Sequence, residues 1–109
     1  MAFAEGAQDG ALNGTNVVTV VSSPGASTRR IVKLINIHNV DTVSQTINVF
    51  CVHGASSRKL RSVTLGAGQT LVISDTLVLD DTDKSITATM GAAATTTNPD
   101  FVSSYADAS

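Results

Sequence analysis

Arg29-Arg30-Ile31-Val32-Lys33-Leu34-Ile35-Asn36-Ile37-His38-Asn39-Val40-Asp41-Thr42-Val43-Ser44-Gln45-Thr46-Ile47-Asn48-Val49-Phe50-Cys51-Val52-His53 is the stretch that decides the fold. Polar and apolar side chains largely alternate on both sides of a short polar break that holds Asp41 and Ser44. A period of two belongs to a strand, because successive side chains leave opposite faces. Ile31, Ile35 and Ile37 share one phase, as do Ile47, Val49 and Cys51 after the break. Val, Ile, Thr and Phe suit a pleated, half-buried surface. The stretch predicts strands at Arg29–His38 and Gln45–His53, joined as a central hairpin that holds a β-sandwich together.

Outward from this hairpin the same grammar continues. Upstream, Thr15 to Ser22 carries four valines and reads as a strand, and Ser23-Pro24-Gly25 reads as a turn. Downstream, Gly54 to Lys59 reads as a loop and Leu60 to Leu65 as a strand, followed by a hairpin-like break at Gly66-Ala67-Gly68. Strands are expected at Gln69–Ile73, Leu77–Leu79, Lys84–Met90 and Phe101–Tyr105, with an Asp-rich turn at Asp80-Asp81-Thr82-Asp83 and a loop of small residues from Gly91 to Asp100. No stretch shows a 3.6-residue period bounded by helix caps. The pattern predicts a small, all-β antiparallel sandwich, Greek-key or jelly-roll-like, of seven or eight short strands. Met1 to Asn13 is small and polar apart from Phe3 and Leu12, too poor in apolar surface to order itself. Residues 1–14 are therefore expected to form an extended N-terminal arm, either flexible or ordered on a neighbouring subunit through Phe3 and Leu12, with residues 15–109 as the sandwich.

Composition narrows the function classes. The chain has 109 residues, a size suited to one domain, and a formal net charge of −2. Phosphate-driven nucleic-acid binding needs an excess of Lys and Arg that is missing here. With no Trp and one Tyr, stacking platforms for bases or sugars lose ground. A single cysteine, Cys51, forms no internal disulfide, which favours a reducing compartment. The first residues lack a basic and apolar leader, and no apolar run reaches the ~20 residues a membrane helix needs. Synthesis in the cytoplasm, with no membrane partner, is the expectation.

Chemical constellations are sparse. Cys51 and His53 share one face of a strand and His38 ends its neighbour, but a structural zinc site wants four ligands and no second cysteine exists. Cys51 with a histidine is also the raw material of a thiol nucleophile, yet no helix N-terminus or glycine elbow presents it. Asp80, Asp81 and Asp83 lack the glycine and glutamate of a calcium loop and read as a turn. The expectation is no enzyme, no cofactor and no metal. Charge is segregated along the chain: Arg29, Arg30, Lys33, Arg58, Lys59 and Arg61 precede Asp75, Asp80, Asp81, Asp83, Asp100 and Asp107. That order suggests complementarity between identical subunits or with an acidic partner. Phe3, Leu12, Arg29, Arg30, Arg58, Lys59 and Arg61 are the candidate interface residues.

Three segments carry a resemblance. They are Ile31-Val32-Lys33-Leu34-Ile35-Asn36-Ile37-His38-Asn39, Val63-Thr64-Leu65-Gly66-Ala67-Gly68-Gln69-Thr70-Leu71, and Leu77-Val78-Leu79 followed by Asp83-Lys84-Ser85-Ile86. Together, across Val17 to Met90, they resemble a family of short virion structural proteins of tailed bacteriophages. The resemblance implies a β-sandwich that works by multivalent packing in a particle, with no catalytic residues to carry over. It implies a homo-oligomeric capsid decoration or cement protein on the major capsid protein, or a head–tail neck, collar or tail component. A glycan-binding module of a fiber, with Phe101 and Tyr105 as its aromatic platform, is the further alternative.

Overall fold

A computed structural model describes residues 3–108; the side chain of Phe3 lies outside the described part. The strands are β1 (Phe3–Ala11), β2 (Val18–Val21), β3 (Arg29–His38), β4 (Gln45–His53), β5 (Ser56–Leu65), β6 (Thr70–Ile73), β7 (Leu77–Leu79), β8 (Lys84–Met90) and β9 (Asp100–Ala108). They form two sheets, one in the order β1-β9-β3-β6 with β7 also on β3, the other β2-β8-β4-β5. Every pairing is antiparallel. β6 and β7 lie end to end along β3, against Ile35–His38 and Arg30–Val32, and act as one strand broken at Ser74-Asp75-Thr76. The result is an antiparallel β-sandwich of jelly-roll type, as expected, with sheets of five and four strands and nine strands in place of the expected seven or eight.

The central stretch is not a hairpin. β3 and β4 match their predicted bounds but belong to opposite sheets. The polar break between them carries the chain across the sandwich. Its own side chains satisfy the turning backbone, so no strand pairing is needed there. The break at residues 66–68 does the same between β5 and β6. The true hairpin is β4–β5, where His53 faces Ser56 across a two-residue turn and Gly54 takes φ +60°. The expected loop over residues 54–59 is therefore mostly strand.

A bulge in β3 resets its phase. The pairing with β9 slips between Val32 and Leu34, so Lys33 is the extra residue. Val32, rather than Ile31, turns inward at 1% exposure, while Ile35 and Ile37 are wholly buried. Ile47 and Val49 meet them from β4, with Ile86 and Ala88 from β8 and Leu79 from β7. Each buried branched side chain contributes about 1.5–3 kcal/mol relative to exposure.

The N-terminal segment is not an arm. β1 pairs with β9 of the same chain from Phe3↔Ala108 to Ala11↔Asp100. Composition hid this strand, because its inward positions include Gly6 and Gly10. A Cβ at Gly6 would lie 2.6 Å from the Tyr105 ring and one at Gly10 2.9 Å from the Phe101 ring. The aromatic rings of β9 fill the space that β1 side chains leave, a known way to hold a glycine at an edge. Gln8 accepts a hydrogen bond from the Ser22 amide at 2.7 Å, and Leu12 is buried in the core at 1% exposure.

Candidate interaction surface

The sandwich has two unlike ends. At the first, residues 12–17, 39–44, 66–69 and 91–99 are sewn together by buried polar side chains. Asn39 is fully buried; its amide donates to the carbonyls of Leu65 (2.9 Å), Val43 (3.0 Å) and Gly66 (3.2 Å), and its Oδ1 accepts from the Asp41 amide (3.0 Å). Asp41 accepts from the Gln45 side chain at 2.7 Å and from the amides of Thr42, Thr95 and Thr96 at 2.8–2.9 Å. Burial pushes its pKa up, but these hydrogen bonds outweigh burial and hold the carboxyl well below the usual carboxylate range. The residues that carry the resemblance, Asn39 and Leu65 to Gln69, meet here and do structural work.

The second end holds the exposed chemistry. Residues 25–29 and the β7–β8 turn line an open groove of about 610 Å³, with Ser27, Arg29, Asp80, Asp81 and Ala108 among the lining residues. Beside it, His53 Nε2 lies 3.2 Å from Asp83 Oδ1 and 3.7 Å from Asp81 Oδ2. The Gly54 amide donates to the Asp83 carbonyl at 2.9 Å and fixes the two turns to each other. Asp80 instead accepts from Lys84 at 2.7 Å, which holds its pKa below and that of Lys84 above their ordinary values.

The predicted interface residues scatter. Leu12 is core and cannot serve as an exposed anchor. Arg30 is also interior: its guanidinium makes a two-pronged pair with Asp107 (2.8 and 3.0 Å), donates to the Ser22 carbonyl (2.8 Å) and stacks 3.9 Å from the Tyr105 ring centre. This hydrogen-bonded pairing raises the Arg30 pKa and lowers that of Asp107. Arg61 pairs with Asp75 at 2.5 Å. The charge segregation along the sequence is thus partly spent inside the chain, since β-pairing brings early basic residues to late acidic ones. Arg29 sits exposed on the groove, and Arg58 and Lys59 are exposed on β5, the edge of the second sheet. Among the described residues none of these three has a salt-bridge partner; Lys59 lies 5.8 Å from the Phe50 ring centre. Phe3, the remaining candidate, lies outside the described side chains. Phe101 is buried at 5% and Tyr105 lies between β1 and Arg30, so they form no aromatic platform for a glycan. The His53–Asp81–Asp83 grouping escaped sequence reading because 27 positions separate His53 from the acidic turn.

No family model matches the chain, and no curated protein matches it. Solved structures with a similar fold include a chain of the disulfide-linked pili formed by Bacillus endospore appendages, at 11% identity and TM-score 0.53, covering 96% of this chain and 85% of that one. PirA is similar at 15% identity and TM-score 0.54, covering 91% of each chain. A chain of infectious bursal disease virus, Gx strain, aligns at 8% identity and TM-score 0.46 over 97% of this chain and 31% of that one, too distant to carry an argument. At these identities the likeness establishes the fold alone.

Proposed function

We propose that this chain is a non-enzymatic structural subunit of a tailed-bacteriophage virion, a capsid decoration or cement protein that binds the shell in many copies. The observation that supports this reading is the long β5 edge, which exposes Arg58 and Lys59 with no salt-bridge partner among the described residues. Such an edge resists pairing with a stray strand, since lysine and arginine discourage it. It remains available to an acidic surface on a capsid or neck protein. Affinity then comes from repetition over many weak contacts. The resemblance over Val17 to Met90 points to the virion. The pilus chain of similar fold is likewise part of an assembled structure.

The test begins with light scattering on the purified chain, followed by co-sedimentation with undecorated phage shells. A closed oligomer that sediments with shells supports the cement role. The double variant Arg58→Glu, Lys59→Glu is expected to lose most of that binding and to keep its fold. Undiminished binding would sink the basic-edge reading. Binding to connector complexes but not to shells would move the protein to the head–tail neck.

A further inference from the structure

We propose that His53, Asp81 and Asp83 bind a divalent transition-metal ion, with zinc as the best fit. The inference does not depend on the virion reading. The three side chains come from the end of β4 and from the β7–β8 turn, and their donor atoms all lie within 4.8 Å of one another. Two ligands about 2.05 Å from a tetrahedral centre stand ~3.3 Å apart. The separations from His53 Nε2, 3.2 Å and 3.7 Å, bracket that value, so small side-chain rotations close the site. The backbone beneath is already fixed by the Gly54–Asp83 hydrogen bond of 2.9 Å.

The donor set selects the ion. Imidazole nitrogen with two carboxylates suits zinc and its neighbours, whereas calcium and magnesium seek all-oxygen shells of six or more ligands. Two carboxylates balance the charge of the ion. The Lys84 ammonium donates to Asp80 at 2.7 Å rather than to Asp81 or Asp83. Side-chain exposures of 55%, 52% and 49% for His53, Asp81 and Asp83 let the ion and its water enter. Three protein ligands leave a position open, the arrangement of a reactive or exchangeable zinc rather than a closed structural one. Asp81 also lines the groove, so a fourth ligand from solvent or from another molecule can approach from that side.

The alternative is a plain ion pair, with a protonated His53 lying between two carboxylates. Calorimetry on the metal-stripped full chain separates the two, with zinc chloride as probe and calcium and magnesium chlorides as comparisons. One zinc per chain with micromolar affinity is expected, along with a rise in the thermal midpoint. His53→Ala and Asp83→Asn should each weaken zinc binding by about tenfold or more, as loss of a ligand or its support does. Cys51→Ser should leave it unchanged, and the cobalt(II) form should lack thiolate charge-transfer absorption. Absence of saturable zinc binding below millimolar concentration overturns the site. So does binding that survives His53→Ala but is lost in Cys51→Ser, or calcium binding tighter than zinc.

Discussion

The two ends of the sandwich use the same residue types for opposite purposes. At the Asn39 end, a carboxylate and an amide are buried and fully hydrogen-bonded, and they replace strand pairing where the chain crosses between sheets. At the His53 end, carboxylates and an imidazole stand half exposed beside a groove. Burial makes the difference. A buried polar group that loses its partner costs ~1–3 kcal/mol, so the first end is held to one arrangement. An exposed pair contributes ~0–1 kcal/mol, so the second end is free to exchange partners.

Truncations test this contrast most severely at the sealed end. Leu12→Ala should lower the unfolding free energy by about 2–5 kcal/mol in urea titration, as other buried leucines do. A loss near zero would restore the arm reading of the N-terminus. Asn39→Ala should cost roughly 3 kcal/mol, because three carbonyls lose their donor at once. Toward the other end but inside the sandwich, Arg30→Ala leaves Asp107 unpaired and should cost about 2 kcal/mol, measured the same way.

Acid sharpens the comparison. The folded pKa of Asp41 lies below its unfolded value of about 3.9, so its contribution is complete above the unfolded pKa and is lost as pH falls through the folded one. Asp107 acts in the same direction. Stability should therefore decline from about pH 4 downward. Asp41→Asn should flatten that decline while lowering stability at neutral pH; thermal melts across pH check both. At the open end the expected effect is smallest. His53→Ala should change metal-free stability by no more than ~0.5 kcal/mol. A loss as large as that of Asn39→Ala would mean that the His53 end is a second structural seal.

Much of the fold was legible because hydrophobic periodicity reports strands directly. β3, β4 and β8 carry predicted bounds for this reason. Where side chains do not alternate by their own chemistry, the reading failed. β1 is rich in Gly and Ala and draws its apolar cover from Tyr105 and Phe101, residues about a hundred positions away. The bulge at Lys33, which turns Val32 rather than Ile31 inward, leaves no mark in composition. Arg30 and Arg58 look alike as basic residues on a strand pattern. Only the packing shows that one is paired with Asp107 and the other faces solvent.

The sequence by itself determined that this chain is an all-β sandwich, because a period of two over β-branched residues allows little else. It also determined where most of the turns fall, since Gly, Pro, Asn and Asp mark them by their backbone preferences, although the turn at Gly54 is shorter than the loop its neighbours suggest. Tertiary structure alone decided which strands pair, that β3 and β4 part company at Asn39, and that His53 meets Asp81 and Asp83. Those outcomes depend on contacts between residues far apart in the chain, and such contacts follow from how two sheets close over one core rather than from any local run of residues.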